Sequence, residues 1–379
     1  MTIKGLKKMI SYIYPLYNND SFHIVASNHI KYLRHEHTIK NEYIEIEEID
    51  WSQIGYINLD EKGSILLHPF LYPFASSESF VQNSRNFARL LSTKNKIGGF
   101  DVADSNRISK LAVDLVNKID LMIVPSNFSK EAYISSGVTI PIEVLPHGIH
   151  DEFLIGDNND IDNINADNIN TNNTDIVGLK RMRKYGNILI LYFLVHSEYR
   201  KGADLVAEVM RRIQKKYSNI LLVVKSSRDT TRTFSNINHI DIKGWLDNRE
   251  LKMLYDSCDI YISPSRGGGF ELNALEAASR GIPTLVTDGG CFTDLIDYFI
   301  PIRKSSKIVQ PLPGNTIHIG HGYEIDIDDL ETKIIDTINR LEYWQNHFKN
   351  NSKEIREKYS WINVSKILDR YLKSYGFLE

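Results

Sequence analysis

Three consecutive glycines, Gly267, Gly268 and Gly269, separate a short apolar run at residues 259–263 from a stretch of good helix formers at 270–279. In that stretch Leu272, Leu275 and Ala278 recur at helical spacing, and Gly281 and Pro283 end it. A bare loop at a helix start suits an anion. Glycine lets the backbone come close, and the first N–H groups of the helix are unpaired and carry about half a positive charge. Glu276 lies further along the same helix, and its carboxylate can accept two hydroxyl hydrogen bonds, as from a ribose diol. The same residues also fit a tight turn followed by an exposed surface glutamate.

A second set of ionisable groups lies in the first 105 residues. His68 follows the predicted strand Ser64–Leu67, at a strand end where open α/β sheets bind ligands; it equally fits a turn histidine. Asp101 and Asp104 lie in the segment at 97–105. A carboxylate there can orient a hydroxyl or act as a weak base. For Asp104 the reading preferred is the N-cap of the next helix.

The elements that must hold these groups alternate. Strands are predicted at Met9–Tyr14, 43–49 (an edge strand), Ser64–Leu67, 120–124 and 141–145, with helices at 22–33, at 108–116 and from 125 onward. A second series places strands at 188–195, 220–224, 240–242, 259–263 and 282–287, and helices at 203–217, 249–258 and 270–279. An acidic loop leads into a helix within 325–341, and residues 353–378 supply further helix. Trp245, in the turn after 240–242, reads as core or as a stacking residue. Residues 156–177, mostly Asn, Asp and Ile, show neither period and read as a loop or linker; their acids lack calcium-loop spacing. The domains expected are 1–155, a linker at 156–185, 186–355, and a C-terminal helix at 356–379 returning to the first domain.

A chain of 379 residues suits two domains, and 42% hydrophobic with 25% charged residues is the composition of a soluble globular protein. A net charge of −3 gives no reason to expect a nucleic-acid partner. Cys258 and Cys291 fit no metal or disulfide spacing, which points to a reducing, cytoplasmic setting. No signal peptide or membrane-spanning run is apparent. Lys4, Lys7 and Lys8 are candidates for peripheral contact with an anionic membrane, or a solvated tail. No Gly-x-Gly-x-x-Gly with a downstream acid supports a nicotinamide dehydrogenase.

The stretch at 263–290 resembles the donor-site signature of retaining GT-B glycosyltransferases. Gly269-Phe270, Leu272, Leu275-Glu276-Ala277 and Gly281-Ile282-Pro283 match it. The first of the signature's two glutamates falls on Gly268; Glu271 is the candidate to supply that carboxylate from a shifted position, or a first-turn acid complementing the helix dipole. Lys201-Gly202 matches a Lys-Gly pair that holds the donor diphosphate, the family's arginine falls on His196, and Arg200 is the candidate to compensate. Residues 120–149 resemble the end of the family's N-terminal domain, with Pro146-His147-Gly148-Ile149 as its turn. The resemblance implies a GT-B fold: two doubly wound Rossmann-like domains facing across a cleft. It implies transfer of a sugar from a nucleotide-sugar donor, with retention and without a metal or cofactor. Donor contacts would come from His196, Arg200, Lys201, Gly268, Gly269, Phe270 and Glu276, catalytic carboxylates from Asp101 and Glu271, and acceptor contacts from His68 and Asp104. The two departures also allow a nucleotide-sugar-binding protein without transferase activity.

Overall fold

The computed structural model describes residues 9–17, 20–56, 63–75, 80–93, 95–154, 174–195, 197–227 and 232–378. It divides into two compact units, Met1–Gly148 with Pro313–His321 and Trp361–Glu379, and Ile149–Leu312 with Gly322–Ser360.

The first unit is built on six parallel strands: β1 (Met9–Tyr14), β2 (Glu45–Asp50), β3 (Ser64–Leu67), β4 (Ile97–Phe100), β5 (Leu121–Val124) and β6 (Ile142–Val144). Their order is β2-β1-β3-β4-β5-β6, with β2 at the edge as its sequence suggests. The β-strand period of two sends alternate side chains to opposite faces, so Ile10 and Leu66 enter one core while Ile13, Ile65 and Leu67 enter the other. Helices Ser21–Ile39 and Trp361–Ser374 cover the first face, with Val25, Ile30, Leu33, Trp361, Leu368 and Leu372 buried. Gly148 lies against the Trp361 indole, where a Cβ would collide with the ring.

The second unit repeats the plan with β7 (Ile188–Leu194), β8 (Ile220–Ser226), β9 (His239–Lys243), β10 (Ile260–Ser263), β11 (Thr284–Thr287) and β12 (Ile300–Ile302). These strands are also parallel, in the order β12-β11-β10-β7-β8-β9. The chain steps outward from β7 to β9, then returns to the other side of β7 with β10, so the strand order reverses between β7 and β10. Ligands of open α/β sheets bind in the crevice at such a reversal, beyond the C-terminal strand ends. A separate antiparallel pair, β13 (Lys304–Val309) and β14 (Gly322–Ile325), follows. The expected pair of doubly wound α/β units is present.

Several elements differ from their sequence expectations. The helix at 22–33 runs on to Ile39 from an Asp20 cap that accepts the His23 N–H. Asp104 is not the cap of the next helix: Ser109 is, accepting the Ala112 N–H at 3.2 Å, and the helix starts at Lys110. Six residues downstream of Asp104 is too far for one residue to cap. The tract at 156–177 ends in helix, since Thr174–Lys184 is helical; its remainder, 156–173, lies outside the described residues, as do the N-terminal lysines. Trp245 is exposed on the turn after β9 and is not core. The β13–β14 pair had no sequence signal because β13 is mostly exposed and rich in Lys and Ser. No helix among the described residues is long and apolar enough to cross a membrane.

Asp369, with a side chain 3% exposed, fastens the C-terminal helix to the helix Ser21–Ile39 by accepting from His37 Nε2 (2.9 Å) and Lys40 Nζ (3.0 Å); Lys373 Nζ stands 3.2 Å away. The lysines are about one-third exposed, so the cluster lies between a surface pair and a buried one. Asp369→Ala is expected to lower unfolding stability by about 1–3 kcal/mol, read from the urea midpoint at neutral pH. An unchanged midpoint would mean the cluster contributes no net stability.

Candidate active site

In the second unit the segments after β7 and β10 lie beside the strand-order reversal and are bound to each other. A tight helical turn, Glu198–Lys201, follows β7 and ends at Gly202, whose φ is +77°. Only glycine suits this position, because the left-handed φ is strained for other residues and a Cβ would strike the Pro264 carbonyl. The Arg266 N–H donates to the Arg200 carbonyl at 2.7 Å, and Tyr192 of β7 donates its hydroxyl to the Lys201 carbonyl at 3.1 Å.

Arg266 is the fastener that sequence reasoning missed. Its guanidinium, 2% exposed, donates to both Asp204 oxygens (2.6 and 2.7 Å), to the Tyr199 carbonyl (2.6 Å) and to the Glu324 carboxylate (3.1 Å), and stacks over the Tyr199 ring. The Tyr323 N–H donates back to the Arg266 carbonyl, and Gly322 leaves no room for a Cβ against that carbonyl. One residue thus ties together the turn after β7, the loop after β10 and β14. The available signal was a cation placed just before a helix N-terminus, where the dipole disfavours it.

Lys201 and Arg200 face the glycine loop. Lys201 Nζ contacts both Glu271 oxygens, at 2.7 and 2.6 Å, and Arg200 Nη1 donates to the Gly267 carbonyl at 3.1 Å. Glu271 sits at the N-cap position of helix Leu272–Ser279 but makes no side-chain cap bond. Its side chain, 4% exposed, turns back along the loop instead. A Cβ placed on Gly268 would lie 2.8 Å from Glu271 Oε1 and 3.4 Å from Arg200 Nη1. The carboxylate of residue 271 therefore occupies the space beside position 268. Gly269 is buried and Phe270 half-buried in the same loop; His196 lies outside the described residues.

Glu276 is buried rather than exposed. Its Oε2 accepts from the Tyr255 hydroxyl at 2.7 Å, and Asn273 Nδ2, 3.5 Å away, also bonds the Tyr255 oxygen at 3.2 Å. Burial pushes the Glu276 pKa up to about 8, against the lowering effect of the Tyr255 and Asn273 hydrogen bonds. With Oε2 accepting from these partners, the proton of the neutral form sits on Oε1, which has no partner among the described residues. Lys225, at the end of β8, is buried with its ammonium on the Gly244 carbonyl, and burial lowers its pKa.

In the first unit Asp101 and His68 stand together and Asp104 stands apart from them. Asp101 accepts the Leu71 N–H (2.7 Å) and the Val102 N–H (2.8 Å), so it staples the turn after β3 to the end of β4. Burial raises its pKa to about 7, offset in part by those N–H groups. His68 stacks on Phe100, with centroids 5.2 Å apart, and lines a small cavity with Asp101, His29 and His147. Burial lowers the pKa of all three histidines, to about 3 for His29 and His147 and well below the usual range for His68. The Asp104 N–H donates to His318 Nδ1 at 3.3 Å. Among the described residues no group of three or more His, Cys, Asp or Glu is arranged to hold a metal ion. Both cysteines are buried and neither forms a disulfide.

Glu276 keeps its proton in the folded chain to about pH 8 but loses it near 4.5 when unfolded. The folded state binds more protons in that interval, so this contribution to stability is complete below pH 4.5 and is lost as pH rises through 8. Glu276→Gln keeps an acceptor for Tyr255 and cannot ionise. Its melting temperature relative to the parent chain is expected to rise between pH 6 and pH 9. A difference independent of pH would show that Glu276 titrates normally.

Known proteins resemble this chain in sequence and in fold. Residues 188–304 match the family Glycosyl transferases group 1. A protein of Sulfolobus islandicus rod-shaped virus 1, named uncharacterized protein 356, is 28% identical over 383 residues, covering 98% of this chain and 100% of its own. A protein of Sulfolobus islandicus filamentous virus (isolate Iceland/Hveragerdi), provisionally named glycosyltransferase 45, is 26% identical over 284 residues, 72% of this chain and 73% of its own. Among solved structures, Anabaena HepE in complex with UDP and glucose superposes with a TM-score of 0.63 over 96% of this chain and 99% of its own, at 12% identity. The chain thus has a GT-B fold of two Rossmann-like units, and its match over residues 188–304 supports a glycosyltransferase of group 1.

Proposed function

We propose that this protein transfers a sugar from a nucleotide-sugar donor to an acceptor with retention of anomeric configuration, without a metal or other cofactor, in a reducing cytoplasmic setting. The observation that carries the reading is the position of Glu271. The signature described above places a carboxylate at residue 268, and the Glu271 carboxylate lies beside that glycine, on Lys201 and near Arg200. In this reading the donor diphosphate lies at the N-terminus of helix Leu272–Ser279, over Gly268, Gly269 and Phe270. Lys201 and Arg200 offset its charge, a task a divalent cation performs elsewhere. Glu276, through Oε1, holds a ribose hydroxyl. The transition state is oxocarbenium-like, with negative charge growing on the leaving diphosphate, and the two cations together with the helix N–H groups stabilise that charge where it forms. Glu271 orients the Lys201 ammonium and faces the sugar. His196 is the remaining donor-site candidate, Asp101 is the second catalytic carboxylate, and His68 and Asp104 belong to the acceptor side.

A second reading, a nucleotide-sugar-binding protein without transferase activity, has one observation in its favour. Both Glu271 oxygens are within hydrogen-bond distance of Lys201, so the ion pair competes with a diphosphate for the cation.

UDP-, GDP- and ADP-glucose, screened for a rise in melting temperature, are expected to include at least one stabilising donor, since a ligand of the folded state raises it. That donor should be hydrolysed slowly without acceptor, releasing the sugar with its anomeric configuration retained by proton NMR. Glu271→Gln should slow hydrolysis about 100-fold. Moving the carboxylate back, as Gly268→Glu with Glu271→Gly, should restore part of the rate. Stabilisation without hydrolysis by the parent chain would favour the binding protein, and an inverted product would overturn retention.

A further inference from the structure

The first sheet has its own strand-order reversal, between β1 and β3, and a buried polar chain lies there. The hydroxyl of Tyr12, on β1, lies 3.0 Å from His29 Nδ1 and 3.3 Å from His68 Nδ1. Tyr12, His29 and His68 are all at least nine-tenths buried. His29 Nε2 is buried with no hydrogen-bond partner, and His68 Nε2 has no hydrogen bond among the described residues. Both imidazoles line a cavity shared with Phe100, Asp101 and His147, with about 10 Å³ open to the centre of a water molecule. That is room for one water or one hydroxyl group. Val102 and His147 in its wall are partly exposed, so the cavity reaches the surface.

One phenol proton serves two ring nitrogens. Burial keeps Tyr12 protonated and both imidazoles neutral. Tyr12 therefore donates to one Nδ1 and accepts an N–H from the other. The ring whose Nδ1 is bare must carry its proton on Nε2, and the ring whose Nδ1 is protonated must have a bare Nε2. The two Nε2 atoms thus always take opposite roles, one donor and one acceptor. A hydroxyl group matches this pair because it donates and accepts at once; a carboxylate or an ammonium can meet only half of it.

We propose that His29, Tyr12 and His68 form a subsite for a single hydroxyl group of a polyhydroxylated ligand, a sugar acceptor. The choice of a sugar rests on the transferase reading above; the hydroxyl complementarity rests on the cavity alone. The subsite selects by hydrogen-bond pattern, so a deoxy analogue leaves a donor and an acceptor unpaired and binds more weakly.

The test uses the full chain labelled with ¹⁵N in its histidines. NMR should show His29 and His68 in opposite tautomers, one Nε2 protonated and the other bare. Tyr12→Phe, which keeps the buried ring, should remove that fixed opposition. Titration with D-glucose and with D-mannose should shift both Nε2 resonances for at least one sugar, and tetrahydropyran, a ring without hydroxyls, should shift neither. Identical tautomers in the parent chain would overturn the proposal. So would Nε2 resonances unmoved by both sugars, which would leave the cavity holding water only. The donor screen reads the transferase proposal separately. Donor stabilisation with unmoved Nε2 resonances removes the subsite alone, and shifted resonances without donor stabilisation keep the subsite and remove the transferase.

Discussion

The Arg266 guanidinium is the constraint on which the second unit's site depends. It is enclosed, so every N–H it points inward must find an acceptor, and it finds them on two other segments: the Tyr199 carbonyl and Asp204 after β7, and Glu324 on β14, while the plane of the guanidinium lies over the Tyr199 ring. A flexible glycine loop would otherwise place its N–H groups loosely. With Arg266 fixed at one end of the loop and helix Leu272–Ser279 starting at the other, the three glycines have little freedom left. Gly202 and Gly322 permit the close approach by carrying no side chain where it would collide with the Pro264 and Arg266 carbonyls. The order of the glycine loop is thus supplied by a residue that lies outside it.

Both units place buried ionisable groups beside the point where strand order reverses, and in each unit burial displaces the pKa of some of them. In the second unit a carboxylate is compensated by an ammonium, and a second carboxylate is kept neutral by burial. In the first unit the groups are neutral imidazoles and an aspartate held by backbone N–H donors. Cations and a helix dipole, as in the second unit, suit an anionic ligand; uncharged donors and acceptors, as in the first, suit hydroxyl groups.

The parts legible in the sequence were those with short range. Apolar runs bounded by turn residues gave β1 and β3 their limits, and the glycine loop announced a helix start. The relation between Gly268 and Glu271 was only a possibility in the sequence, since it depends on which way one side chain turns at an N-cap it declines to bond. The sequence left Glu276 open between a ligand-binding carboxylate and an exposed one, because helical spacing does not reveal that Tyr255, 21 positions earlier, closes over it. The Tyr12, His29 and His68 chain spans separations of 17 and 56 residues and has no motif. Ser109 and Asp104 were both acceptable caps by residue type, and the position of the first helical turn decided between them.

The path of the chain has a consequence for how the protein is made. It passes between the two units after Gly148, Leu312, His321 and Ser360. Trp361, Val364, Leu368 and Leu372 complete a face of the first unit's core, yet they are synthesised after the whole of the second unit. During translation the part of that face which the C-terminal helix covers therefore stays open, beside helix Ser21–Ile39, while the second unit obtains all its residues. The unit that begins with the first residues is the later of the two to have all its residues, and no single cut releases either unit whole.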